Sequence, residues 1–529
     1  MRIFTLLLLV FFVADSYKIL VYTNLFGHSH VKFQGAVADA LTDAGHNLTV
    51  LMPVFEAPMR NKTSLKSTKN IIFIDESQEL LDSLVGLEEL FADLWTTDNS
   101  NPLVMFQETK VMSKMFGALC KNVLSQPGLI ERLKAEKFDL AITEPFDTCA
   151  YALFEAINIR AHVAVLSASR FDHVTDAIGQ PLAASYVPGL QSTNGEKMDM
   201  GQRLWNYLQY LSSSYFFSSV GDYDYEIAKK IVPITRSWRE VLPEASFILA
   251  NLIPGLDFPA PTFDKIVPIG GLSVKTDKKS LKLDEKWSKI LDLRKNNVLI
   301  SFGSIARSAD MPANFKKSLL EVFKSMPDTT FIWKYENEKD TIVDHLDNVY
   351  LGEWLPQNEL LADKRLSLFV THGGLGSATE LAMMGKPAVM VPLFADQGRN
   401  AHMLKRHGGA AVLEKNDLAN PKLVKETLEK VIRDPSYRKS AERLAEMLNN
   451  QPTNPKETLV KYVEFAARFG KLPSLDNYGR HQSYIEYFFL DIIAISLLIT
   501  LITLYISYRI LKVIANKIFR SKCTKSKKE

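Results

Sequence analysis

The run Leu366-Ser367-Leu368-Phe369-Val370-Thr371-His372-Gly373-Gly374-Leu375-Gly376-Ser377-Ala378-Thr379-Glu380 decides the fold. Leu366–Val370 is apolar and reads as a buried strand. Ser377–Met384, rich in Ala, Leu and Met, reads as a helix. Thr371–Ser377 is the turn between them. A strand that feeds a glycine turn and then a helix aims free backbone N–H groups at one spot. Glycines in such a turn let the backbone approach a ligand closely. His372 and Ser377 add side-chain donors. The turn suits a diphosphate without a metal ion.

The same pattern extends in both directions. Val298–Ser301 is a second buried strand and enters the loop Phe302-Gly303-Ser304. Phe331–Lys334, Val349–Leu351 and Ala388–Val391 are further strands, with helical patterns between them. Nearer the N-terminus, Lys18–Tyr22 reads as a strand, and Val37, Ala40, Leu41 and Ala44 recur at helical spacing. Leu48–Met52 is the next strand. Leu140–Thr143 is another, followed by an apolar helix from Cys149 to Ala156. Two successive α/β series predict two doubly wound, Rossmann-like domains facing a cleft, with ligands at the carboxyl ends of the strands. The first domain is expected over residues 17–270 and the second over 271–483, with the Lys-rich stretch 275–282 as linker. Residues 171–231 are aromatic-rich and broken by Gly, Ser and Pro; they read as an irregular lid or a surface near a bilayer.

Hydrophobic residues make up 47% of the 529 and charged residues 23%, a globular composition. A net charge of +3, with no basic stripe interleaved with aromatics, argues against a nucleic-acid partner. Arg2, the apolar run Ile3–Val13 and the small residues of Ala14-Asp15-Ser16 read as a signal peptide over residues 1–16. Phe488–Tyr508 holds one charge, Asp491, and is just long enough to cross a hydrocarbon core of ~30 Å. A transmembrane helix is expected over 484–508. Arg509, Lys512, Lys517, Arg520 and Lys522 follow, which places a basic tail, residues 509–529, in the cytosol. The expected topology is single-pass type I, with the body in a lumen. Lys525 and Lys527 resemble a dilysine signal for the endoplasmic reticulum. Asn47-Leu48-Thr49 and Asn61-Lys62-Thr63 are glycosylation acceptors by pattern. Cys120 and Cys149 allow one disulfide, and three cysteines make no zinc site.

Trp354, Gln357, His372, Gly373, Gly374, Ser377, Glu380, Pro392, Asp396 and Gln397 are spaced in a way that resembles the signature of the UDP-glycosyltransferase family, which includes the UDP-glucuronosyltransferases. The likeness extends over nearly the whole chain. It implies the GT-B architecture and transfer of a hexosyl group from a UDP-sugar to a small lipophilic acceptor, as in conjugation and detoxification. No metal and no cofactor beyond the UDP-sugar co-substrate is implied. Membrane lipid and a second copy of the chain are the further partners expected. By the same resemblance Trp354 stacks uracil, Glu380 holds ribose, and His372 and Ser377 contact phosphate. Asp396 and Gln397 bind the sugar, and Ser304 looks like a further diphosphate contact.

Transfer to a neutral hydroxyl needs a base, because an alcohol is a poor nucleophile. In Asn24-Leu25-Phe26-Gly27-His28-Ser29-His30, His30 stands where the family places its base, with His28 as the competing candidate. A base histidine needs a carboxylate on its other nitrogen. Counting back from Cys149, Glu144 takes the position of the family's aspartate, and Asp147 is the alternative. The exchange of Asp for Glu leaves a second reading, a protein of the same fold that holds a UDP-sugar or lipid without turnover. Family members that use UDP-glucuronate carry an arginine upstream of the pair matching Phe258-Pro259, and Asn in the phosphate turn. Asn251 and Gly376 stand there instead. Both departures favour a neutral sugar such as glucose, with Arg307 or Lys334 as the residues that would have to substitute for the missing arginine.

Overall fold

A computed structural model describes residues 16–525 apart from 99, 100, 276, 278, 279 and 338. The expected signal peptide, save Ser16, and Lys527 of the dilysine pattern lie outside the described residues. The chain forms a body that ends at Asp476 and a separate C-terminal unit that begins at Asn477.

The body holds two all-parallel sheets. The first has strands β1 (Lys18–Tyr22), β2 (Asn47–Pro53), β3 (Ile71–Ile74), β4 (Leu140–Thr143), β5 (His162–Leu166), β6 (Ile248–Ala250) and β7 (Ile266–Pro268), in the order β3-β2-β1-β4-β5-β6-β7. The second has β8 (Asn296–Ser301), β9 (Thr329–Lys334), β10 (Val349–Gly352), β11 (Leu368–Thr371), β12 (Ala388–Met390) and β13 (Ala410–Val412), in the order β10-β9-β8-β11-β12-β13. Strands such as Val298–Ser301 and Leu368–Thr371 are buried on both faces, as parallel sheets covered by helices require. The two doubly wound sheets expected from the βαβ patterns are present. Strand order reverses between β1 and β4 in one sheet and between β8 and β11 in the other. Tyr22 is opposite Thr143, and Ser301 is opposite Thr371. The loops that follow each pair therefore leave adjacent strand ends in opposite directions and open a crevice.

The reading of 171–231 as irregular is corrected. A 29-residue helix, Met200–Ala228, fills half of it, opened by a capping box between Asp199 and Gln202. Its buried face includes Asn206, Gln209, Ser213 and Asp224, so its polarity hides the helical period. Packing supplies what propensity does not: a side chain at Gly221 would meet Thr148 and Trp238 at 2.8–3.0 Å. Cys120, in the helix Pro102–Leu124, is disulfide-bonded to Cys149.

The two sheets are tied by more than the linker. The helix Pro455–Phe469 returns to the first sheet, where Leu459, Val463 and Ala466 share a core with Ile19, Val21 and Val163. Trp95, from the first half, is buried among Val298, Phe302 and Phe315 of the second. Its ring meets Phe302 edge-on at 5.1 Å, and its indole N–H donates to the Arg307 carbonyl at 3.0 Å.

In the C-terminal unit, Leu490–Lys525 is one helix. Its stretch Leu490–Arg520 contains an 18-residue window of mean hydropathy 2.2 and is, among the described residues, the one helix long and apolar enough to cross a membrane. The helix runs past Tyr508 through the basic residues, because no Gly or Pro stops it there.

Trp95→Ala should cost the body about 3–5 kcal/mol, the usual penalty for emptying a buried indole site. Denaturant unfolding followed by circular dichroism checks this, and an unchanged midpoint would mean that Trp95 does not tie the halves together.

Candidate active site

Four loops meet at the two strand-order reversals. From the first sheet come the loop after β1, leading into the helix His28–Asp43, and the loop after β4, Glu144–Thr148. From the second come the loop after β8, with Ser304 exposed at its tip, and the turn after β11, leading into the helix Leu375–Met384.

In the first sheet, His30 Nδ1 lies 2.9 Å from Glu144 Oε2. Glu144 is nearly buried, while His30 is about a third exposed. The other Glu144 oxygen accepts from the Ser167 N–H at 2.8 Å and from the Ser167 hydroxyl. That hydroxyl also lies 2.7 Å from His30 Nδ1. Burial works against the His30 imidazolium, but the Glu144 charge and hydrogen bond, with a smaller contribution from Asp396, hold its pKa above the ordinary value. Burial pushes Glu144 up, and His30 and Ser167 more than reverse this, leaving it below the usual carboxylate range. With Nδ1 committed to Glu144, the opposite nitrogen is the one that can take a proton. Asp147, the alternative partner, is elsewhere: it accepts from Tyr22, Asn24 and the Cys149 N–H. His28 meets the edge of Trp354 at 5.5 Å instead. A recess beside His30 is walled by Phe26, Phe116 and Phe146, with Tyr22, Asn24 and Asp147 at its polar side.

In the second sheet, the phosphate-type turn is tighter than its sequence suggests. Gly303 has φ 87° and Gly373 φ 91°, a region costly for other residues. A Cβ at Gly303 would come within 2.7 Å of the His372 ring, and one at Gly373 would meet Met390 at 3.0 Å. Burial lowers the His372 pKa to about 4, so the ring is neutral at physiological pH. The helix starts at Leu375, two residues earlier than expected, which brings Gly376 and Ser377 into its first turn. Gln357 donates to Ser377 Oγ at 3.1 Å and to Glu380 Oε2 at 2.7 Å. Trp354 is 65% exposed and thus not a core residue. Ala395, at φ 53°, bends the loop that delivers Asp396 to the start of the helix Gln397–Lys405. Burial raises the Asp396 pKa. The Gln397 side-chain carbonyl accepts from the Leu393 and Phe394 N–H groups at 2.8 and 3.1 Å.

A family model described as UDP-glucoronosyl and UDP-glucosyl transferase matches residues 17–525. The chain belongs to this family. It is therefore a glycosyltransferase of UDP-sugars. A UDP-glycosyltransferase of Dactylopius coccus is 27% identical over 94% of this chain and 92% of its own length. A UDP-glucuronosyltransferase of Rattus norvegicus is 26% identical over 91% of this chain and 89% of its own length. Among solved structures, a Phytolacca americana glycosyltransferase complexed with UDP-2fluoro-glucose and pterostilbene aligns at TM-score 0.56. The alignment covers 86% of this chain and 100% of that one at 16% identity. The glycosyltransferase VinC, in complex with DTDP, also aligns at TM-score 0.56, with 18% identity, 85% of this chain and 100% of that one. The fold is thus GT-B.

Two residues of the site were not legible in the sequence. Ser167 follows β5, a strand the apolar pattern had not marked, and nothing local to it signals a carboxylate neighbour. Lys32 follows His30 by two residues in the same helix and reaches Glu380 in the other half.

Gly303→Ala should push the His372 ring out of the turn and weaken UDP binding by about tenfold or more, roughly 1.4 kcal/mol. Titration calorimetry reads this directly; unimpaired binding would show that the turn tolerates the added carbon.

Proposed function

We propose that this enzyme moves a neutral hexosyl group, most simply glucose, from its UDP-sugar to a hydroxyl of a small lipophilic acceptor with inversion. The single observation behind the chemistry is the His30–Glu144 pair, held by Ser167 at the mouth of an aromatic recess. In this reading His30 takes the acceptor proton as its oxygen attacks the anomeric carbon, and Glu144 stabilises the imidazolium. UDP departs into the turn of Gly373, Gly374, His372 and Ser377, with Ser304 opposite, and backbone N–H groups of the helix Leu375–Met384 face its charge. Trp354 is the platform for uracil, Gln357 and Glu380 serve the ribose, and Asp396 and Gln397 hold the sugar. Phe26, Phe116 and Phe146 are the surface on which a lipophilic acceptor would rest.

The preference for a neutral sugar rests on the state of nearby cations. Asn251, at the position of the glucuronate arginine, is buried and donates to the Ser167 carbonyl at 2.8 Å. Lys334 is paired with Glu336 at 2.7 Å, and Arg307 faces Asp310 at 3.6 Å. Arg399, two residues beyond Gln397, is buried against Asp257 at 2.7 Å. A sugar carboxylate drawing on Lys334 or Arg399 would have to break a largely buried pair. The relatives' names include glucuronosyltransferases, so the sugar is the part to test. Localisation is read the same way: the apolar part of the helix Leu490–Lys525, as far as Tyr508, as a single membrane span with the basic residues beyond it in the cytosol, and the disulfide-bearing body on the lumenal side of the endoplasmic reticulum.

His30→Ala should lower turnover by about 10²–10⁴-fold while UDP binding persists; retained turnover would remove His30 from this role. Because the base must be neutral and its pKa is raised, the rate should fall with acid below a midpoint above the ordinary histidine value. Glu144→Gln should move that midpoint to lower pH in a kcat/KM profile. With a responsive acceptor, UDP-glucose should be used at least about tenfold better than UDP-glucuronate, ~1.4 kcal/mol in the barrier; the opposite preference would overturn the sugar assignment.

A further inference from the structure

Two helices begin on opposite walls of the cleft. His28–Asp43 starts from the first sheet and Leu375–Met384 from the second. Their N-termini are close: a Cβ on Gly376 would lie 4.0 Å from the Ser29 Cβ. One turn into each helix, Lys32 and Glu380 form an ion pair across the gap. Glu380 is buried, and Lys32 is a third exposed. The Glu380 carboxylate is crowded. Its other oxygen accepts from Gln357 at 2.7 Å, and the Asn358 amide nitrogen, in the orientation that satisfies both partners, lies 3.3 Å from each oxygen. A ribose that binds Glu380 must therefore share this carboxylate with Lys32 or displace it.

A departing UDP brings at least two negative charges to the same gap. Lys334, Arg307 and Arg399 face acids, as described above. His372 is neutral. Lys32 differs in having a partner, Glu380, that the ribose itself would claim.

Resting on the reading of Glu380 as the ribose acceptor, we propose that Lys32 is a transferable cation, which holds Glu380 in the nucleotide-free cleft and passes to the donor diphosphate when the ribose takes Glu380. Ribose binding then does two things. It satisfies Glu380, and it releases a positive charge onto the leaving group where negative charge builds in the transition state. The exchange also makes recognition of ribose and of phosphate interdependent, although the two parts of the nucleotide touch different side chains.

The test compares uridine, which has ribose but no phosphate, with UDP, on the full chain in detergent. Calorimetry measures UDP, and displacement of UDP measures uridine. Lys32→Met should weaken UDP by about tenfold or more while leaving uridine no weaker, or tighter, because its competitor for Glu380 is gone. Lys32→Arg should restore most of the UDP affinity. Equal losses for uridine and UDP would mean that Lys32 merely supports the site, and unchanged affinities that it touches neither; both overturn the proposal. Glu380→Gln in the otherwise native chain isolates the premise. If uridine affinity is indifferent to it, the ribose reading itself fails, and the Lys32 exchange falls with it.

Discussion

Everything at the site depends on two strand pairings, β1 with β4 and β8 with β11. In each, parallel neighbours are reached by connections that run to opposite sides of the sheet, so no helix covers the ends where the chain leaves them. Tyr22 opposite Thr143 places the start of the His30 helix beside the Glu144 loop, and Ser301 opposite Thr371 places the loop of Ser304 beside that of His372. The chemistry-bearing residues are far apart in sequence and yet follow neighbouring strands. Slipping either register would separate the base from its carboxylate, or the glycine loop from the ring it packs against.

The charged groups of the cleft are then arranged in pairs. His30 with Glu144, Lys32 with Glu380, and Arg399 with Asp257 each leave little net charge where water is scarce. Burying such groups unpaired would cost several kcal/mol apiece. The pairing also gives the cleft a resting state. A nucleotide that enters does not meet bare charges; it trades one partner for another, so its affinity reflects the difference between two sets of contacts.

Much of this was visible in the residues. The buried runs of the second half, the glycine turn and the Trp354–Gln397 spacing are local signals, and local signals survive in a sequence. Glu144 and Asp147 could not be separated, because both follow the same strand and only the fold decides which faces His30. Met200–Ala228 was hidden because Asn206, Gln209, Ser213 and Asp224 occupy its inner face, and a polar inner face carries no helical period. Lys32 was hidden for a plainer reason: its partner lies 348 positions away. The helical continuation beyond Tyr508 reflects the lack of any residue able to end it, a negative signal that a hydropathy boundary does not capture.

The return of the helix Pro455–Phe469 to the first sheet has a mechanical side. The backbone passes between the two sheets once after β7 and again ahead of Pro455, so each half is sewn to the other at two seams. Twisting or sliding of one half on the other would strain both strands of the stitching. A proteolytic nick in either seam would leave the halves fastened by the other. The body is thus bound like a book rather than strung like two beads, and the charge of Asp396 in one half is felt at His30 in the other.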